Sequence, residues 1–171
     1  DNNEKIVDYI KLDRHQLNHS VGRSFDGASE WSIFTESTPG LSNSNQTAYN
    51  GYVSAPTFNF DAGFYADAIL LEISCDSPGV EIYYTLDGSA PDSGSDYYGY
   101  VDSGGVLIPQ NSSLVINNTT VVKAVAISQD ASFLNSFIET NTYFINEDHS
   151  ISVISVAGVL VDNLLNGNQI R

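Results

Sequence analysis

Between residues 55 and 146 the chain repeats one pattern: a strand-length run of β-branched and aromatic residues, then a turn signal of Gly, Pro, Asp, Asn or Ser. The runs fall at about 57–60, 68–75, 80–86, 105–108, 113–116, 120–128 and 136–145. Side chains alternate between the two faces of a strand, so runs this short bury their apolar residues only against a second layer.

Seven short strands in about 90 residues predict an all-β fold, an Ig-like or fibronectin-III-like antiparallel β-sandwich over residues 55–146. Its clearest strand pair brackets Ser77-Pro78-Gly79, with Ile69, Leu71 and Ile73 on one face before the turn and Val80, Ile82, Tyr84 and Leu86 on one face after it. This reads as a hairpin with one buried face. Asp87 and Gly88 then form a structural turn, in which the carboxylate caps backbone N–H groups and the glycine takes a positive φ. Cys75 continues the phase of Ile69, Leu71 and Ile73, so a buried small apolar side chain is expected there rather than a reactive thiol. As the one cysteine it forms no internal disulfide, and it leaves the compartment open.

Outside the sandwich the pattern changes. Ile6, Asp8, Ile10 and Leu12 alternate with Val7, Tyr9 and Lys11 and predict one strand. The stretch that follows, through Trp31 to Gly40, is rich in turn residues, so residues 1–43 read as part of a second β-domain. Residues 44–54 are polar and read as a linker. Residues 147–171 read as the start of a following domain or a C-terminal extension, with a strand at 151–156 and a helical turn at 162–167 closed by Gly167. The chain is therefore expected to be a window on a longer protein.

The stretch Ser77-Pro78-Gly79-Val80-Glu81-Ile82-Tyr83-Tyr84-Thr85-Leu86-Asp87-Gly88-Ser89-Ala90-Pro91-Asp92 resembles the chitobiase and β-hexosaminidase C-terminal type of sandwich module. Gly63-Phe64-Tyr65, the run from Val122 to Ala126 and Thr142-Tyr143-Phe144-Ile145 extend that resemblance over about residues 55–146. Ser20-Val21-Gly22-Arg23, Asp26-Gly27, Trp31 and Thr38-Pro39-Gly40 are similar to the last third of a lamin-tail domain, and residues 149–165 resemble the first strand of the spore-coat-protein-H kinase family. The three resemblances together imply a bacterial protein, secreted or at the cell surface, in which the sandwich is an accessory without catalytic residues. They imply a structural or spacer role, with other domains of the same larger chain as its partners. Two alternatives stand beside it: a carbohydrate-binding or adhesion module, and a fibre subunit that self-associates by strand donation.

Charge narrows the partners. Six basic residues against 21 acidic ones give a formal charge of −15, a field that repels nucleic acid and anionic lipid. No run of 18 apolar residues occurs, so no direct membrane insertion by a helix is expected.

The candidate chemistry is sparse. Asp87 and Asp92 are two carboxylates of the kind glycoside hydrolysis uses, but the turn role accounts for Asp87, and no catalytic residue is expected. Asp87, Asp92 and Asp96, with Asp102, could offer oxygens to calcium, yet their spacing fits neither an EF-hand nor a glycine-rich repeat. The expectation is no cofactor and no metal, with calcium the minority case. His15 and His19 are four apart, a spacing that unites two imidazoles only on a helix, which these residues do not favour. The best ligand candidates are Tyr97, Tyr98 and Tyr100 in a Gly/Ser-rich loop, where exposed tyrosines would offer flat apolar area with a polar tip to a glycan or a protein.

Overall fold

The computed structural model describes residues 8–102, 107–110, 112–149 and 152–156, with the backbone alone for 100–102 and 107–110. The chain divides into two compact units, Asp1–Gly51 and Tyr52–Arg171.

In the first unit β1 (Ser20–Arg23) and β2 (Trp31–Phe34) form an antiparallel hairpin with Val21 opposite Ile33 and Arg23 opposite Trp31. Tyr49 lies on the other side of β2 and exchanges both backbone bonds with Ile33 at 2.9 Å. A 3-10 turn at Asn43–Asn45 follows, capped by the Ser42 side chain. Phe34 is buried, and its ring reaches over Gly22, diagonally across on β1: a Cβ there would stand 3.4 Å from the Phe34 ring and 2.9 Å from Asn43 Nδ2. That Asn43 amide donates to Arg23 O at 3.0 Å. Arg23 in turn stacks its guanidinium 4.2 Å from the Trp31 ring, pairs with Asp8 and donates to Ser29 O.

Two expectations for this unit are corrected. Residues 8–12 form no strand, and Ile6 and Val7 lie outside the described residues. The segment 10–15 instead lies across Val21, Trp31 and Ile33, enclosing a cleft of about 260 Å³. Alternation alone makes no strand where no sheet edge receives it, and Tyr9 and Leu12 stay exposed. Conversely, Ser20–Arg23 is a strand, although it reads as part of a turn-rich stretch.

Among the described residues the second unit contains ten strands: β3 (Thr57–Phe58), β4 (Gly63–Tyr65), β5 (Ile69–Leu71), β6 (Ile73–Ser74), β7 (Val80–Thr85), β8 (Asp96–Asp102), β9 (Leu107–Gln110), β10 (Leu114–Ile116), β11 (Thr120–Ser128) and β12 (Glu139–Ile145). One layer is a sheet in the order β4-β12-β11-β7-β8-β9, antiparallel throughout except where β4 joins β12 in parallel. The other layer is built from the pairs β10-β5 and β3-β6. Among the described residues there is no α-helix. The architecture is the all-β, Ig-like sandwich that the spacing of short strands predicts.

The core lies between the layers. Ile69, Leu71, Ile73, Leu114 and Ile116 from one layer meet Tyr84, Tyr98, Val122, Ala124, Tyr143 and Ile145 from the other. The residues between these along each strand point outward, as at Leu70 and Val115, which are opposite one another and exposed. Tyr143 is fully buried, and its hydroxyl donates to Phe60 O at 3.0 Å and receives Asn141 Nδ2 at 3.1 Å. Burial raises the Tyr143 pKa. β11 is buried along both faces of its middle, from Val122 to Ala126, which fits its composition of Val, Ala and Ile around a single Lys.

The hairpin expected around Ser77-Pro78-Gly79 does not form. β5 pairs with β10 and β6 with β3, whereas β7 pairs with β11 and β8. The two arms belong to opposite layers and touch through side chains, not through backbone bonds. Two strands that face each other across a core show the same alternation as two that pair edge to edge, so the pattern cannot separate the cases. The single strand expected at 68–75 is broken at Glu72, whose backbone N–H goes to Asn59 Oδ1 at 2.8 Å. Cys75 lies past the end of β6, half-buried, with its thiol donating to Ser54 O at 3.2 Å.

Within the expected linker, Tyr49 pairs into the first unit, while Val53 N–H bonds Leu134 O at 2.9 Å in the second. Residues 152–156 take no regular secondary structure, and the helical turn read at 162–167 lies outside the described residues.

Candidate functional site

The Asp87–Gly88 turn is built by its own side chains. One Asp87 carboxylate oxygen accepts the Ser89 N–H at 2.9 Å and the Ser89 hydroxyl at 2.6 Å, and Gly88 has φ +79°. Those two bonds from Ser89 hold the Asp87 pKa below the ordinary carboxylate value, with Lys123 adding a smaller pull. Lys123 is buried on β11 and donates its ammonium to Gly88 O. The result is a turn tied to the sheet from beneath, a contact that nothing in the local sequence announces. A buried ammonium is tolerated only with such a partner. Asp130 makes the same kind of turn with Ser132, which lowers its pKa in the same way.

Tyr97, Tyr98 and Tyr100 lie on strand β8, not in a loop. Alternation separates the first two. Tyr98 is a core residue, set edge-to-face 6.3 Å from Tyr84, with its hydroxyl donating to Ser112 O. Tyr97 points to the other face and meets Tyr83 edge-to-face at 5.6 Å. Its ring lies over Gly99, where a Cβ would approach Tyr97 Oη to 3.3 Å and where φ is +136°. The side chain of Tyr100 lies outside the described residues. Tyr83, which sequence reasoning left out of the ligand group, donates to Glu81 Oε2 at 3.0 Å, and its pKa is raised by partial burial and by that bond.

The other carboxylates considered for calcium are dispersed. Asp92 accepts from Gly94 N–H at 2.8 Å and from the Ser95 hydroxyl at 3.3 Å, closing its own turn. Asp96 starts β8 opposite Tyr84. Among the described residues no three His, Cys, Asp or Glu side chains are grouped to hold a metal ion. His15 and His19 are near enough for His15 to depress the His19 pKa, behind the larger effect of burial.

One surface feature emerges from the tertiary structure alone. A cleft of about 430 Å³ is lined by Thr57, Phe58, Asn59, Glu72, Ile73, Ser74, Tyr98, Gly99 and Ser112. It opens where β10 begins at Leu114 while β6 runs on beside it to Ser74.

A two-layer sandwich, with Asp87 and Asp92 capping their own turns, defines an Ig-like β-sandwich module. The family model described as "Chitobiase/beta-hexosaminidase C-terminal domain" matches residues 60–133, from just after β3 to just past β11, and reaches neither flank. No curated protein and no solved structure matches the chain. Among the described residues no helix is long and apolar enough to cross a membrane.

Proposed function

We propose that this chain is a structural and spacing part of a larger secreted or cell-surface protein, in which the sandwich holds neighbouring domains apart and presents them. The observation that carries the reading is how the polar side chains are used. Asp87, Asp92 and Asp130 close turns, Lys123 secures one of those turns, and the Tyr98 and Tyr143 hydroxyls bond backbone carbonyls within the fold. General acid and base work needs titratable groups held free toward a substrate. The match of residues 60–133 supports the same reading.

The test uses the purified chain and aryl glycosides of N-acetylglucosamine and its dimer. A spacer releases no aryl alcohol above buffer, and a rate abolished by Asp87→Asn or Asp92→Asn would overturn the proposal. A carbohydrate-binding reading rests on the Tyr97 and Tyr83 rings on the outer face of the sheet. Retention on immobilised polysaccharide that Tyr97→Ala removes would favour it over the spacer.

A further inference from the structure

The cleft beside β6 is a strand position that no strand fills among the described residues. Asn59 N–H bonds Glu72 O at 3.2 Å, so the even-numbered residues of the β5–β6 run turn their backbone groups toward β3. Leu71, odd-numbered, is opposite Leu114 on β10. The next odd residue, Ile73, therefore aims its N–H and C=O where β10 would continue. Among the described residues no strand occupies that place, because β10 starts at Leu114 and Ser112 has already moved off to receive the Tyr98 hydroxyl. Beneath the gap lie Tyr98 and Gly99 of the opposite layer, and Glu72 and Ser74 stand at its rim.

Charge decides the occupant. Between residues 52 and 156 there are thirteen Asp and Glu and a single Lys, and that Lys123 is buried and committed to Gly88 O. A second copy of the unit would bring the same acidic surface and be repelled, whereas a cationic segment would be drawn in. Two other edges of this unit, on β4 and β10, are poor competitors. On β4 only Phe64 turns its backbone outward, between Asp61 and Asp67, and on β10 only Val115 does.

We infer that the gap beside Ile73 takes up an extended, basic peptide segment of another protein, which adds to β6 as a short strand. Its backbone pairs with Ile73, one small apolar side chain rests on Tyr98, and its alternate Lys or Arg side chains face Glu72 and the acidic surface.

The probe is an acetylated, amidated Lys-Val-Lys-Val-Lys-Val peptide added to isotope-labelled full chain and followed by amide NMR. Shifts are expected at Ile73, Ser74, Tyr98, Gly99 and Ser112. Hydrogen exchange of the Ile73 amide should slow about tenfold when the peptide stands near ten times its Kd. The same peptide N-methylated at alternate residues keeps charge and side chains but loses its donors, and it should not bind. Equal binding of the methylated peptide, shifts centred on Phe64 or Val115, or no shifts up to 5 mM of the probe would each overturn the inference.

Discussion

Replacing Tyr143 by Phe isolates one hydroxyl in the centre of the sandwich. The ring is fully buried, 6.5 Å edge-to-face from Phe58 and 6.1 Å from Tyr65, and phenylalanine keeps all of that packing. What disappears is the donor to Phe60 O at 3.0 Å and the acceptor for Asn141 Nδ2 at 3.1 Å. Asn141 Nδ2 also approaches Phe60 O at 3.4 Å, so the carbonyl keeps one longer bond. A buried acceptor left without a partner costs about 1–3 kcal/mol, and partial rescue by Asn141 brings the expected loss to about 1–2 kcal/mol. With a urea slope of about 2 kcal/mol/M this lowers the midpoint by roughly 0.5–1 M. Near-UV circular dichroism of the tyrosines is the assay for this unit, and fluorescence of Trp31 reports on the hairpin of the other. Adding Asn141→Ala to Tyr143→Phe should depart from the sum of the two changes, because the two side chains share Phe60 O and bond one another. A loss under about 0.3 kcal/mol would refute the hydroxyl's role, given the orphaning cost above.

Three further outcomes are expected. Leu71→Ala leaves a cavity in a fully buried position and should destabilise the second unit by about 2–5 kcal/mol in the same urea titration. Gly99→Ala demands a backbone angle that alanine rarely adopts and drives a methyl toward the Tyr97 hydroxyl, so it should cost about 1–3 kcal/mol, and Gly99→Ala with Tyr97→Ala should recover only the steric part. The pH dependence has two sides. The Asp87 and Asp130 pKa values are lowered by folding, so their contribution is present above the ordinary carboxylate range and is lost as pH falls through their folded values. Tyr84 and Tyr143 are raised by burial, so the stability they carry is complete below about pH 10, the ordinary tyrosine value, and is lost as pH rises through their folded values. Thermal melts from pH 2 to 12 should therefore fall at both ends, and a plateau into either extreme would contradict the assignment.

What residues 55–146 state locally is legible without coordinates. Alternation at Ile69, Leu71 and Ile73 names the buried face, the Val- and Ala-rich run at 120–128 marks the central strand, and Asp87-Gly88 marks a turn. These follow from side-chain period and φ preference, which are properties of neighbours in sequence. Around the tyrosines at 97, 98 and 100 the local signals conflict, since Gly and Ser favour a loop while the rings themselves favour the strand that forms. In the first unit the alternation at 8–12 misleads, because a strand also requires a partner edge at the right place.

The amino-acid order determined that this chain would be all-β, acidic and built from short strands around an aromatic and aliphatic core. Tertiary structure alone decided which strands pair. The arms around Ser77-Pro78-Gly79 went to opposite layers, Lys123 came to lie under the turn at Gly88, and β10 paired with β5 rather than with β6. Those contacts join residues 15 to 48 positions apart, and the free energy that selects them comes from burying two faces against each other, which no local pattern encodes.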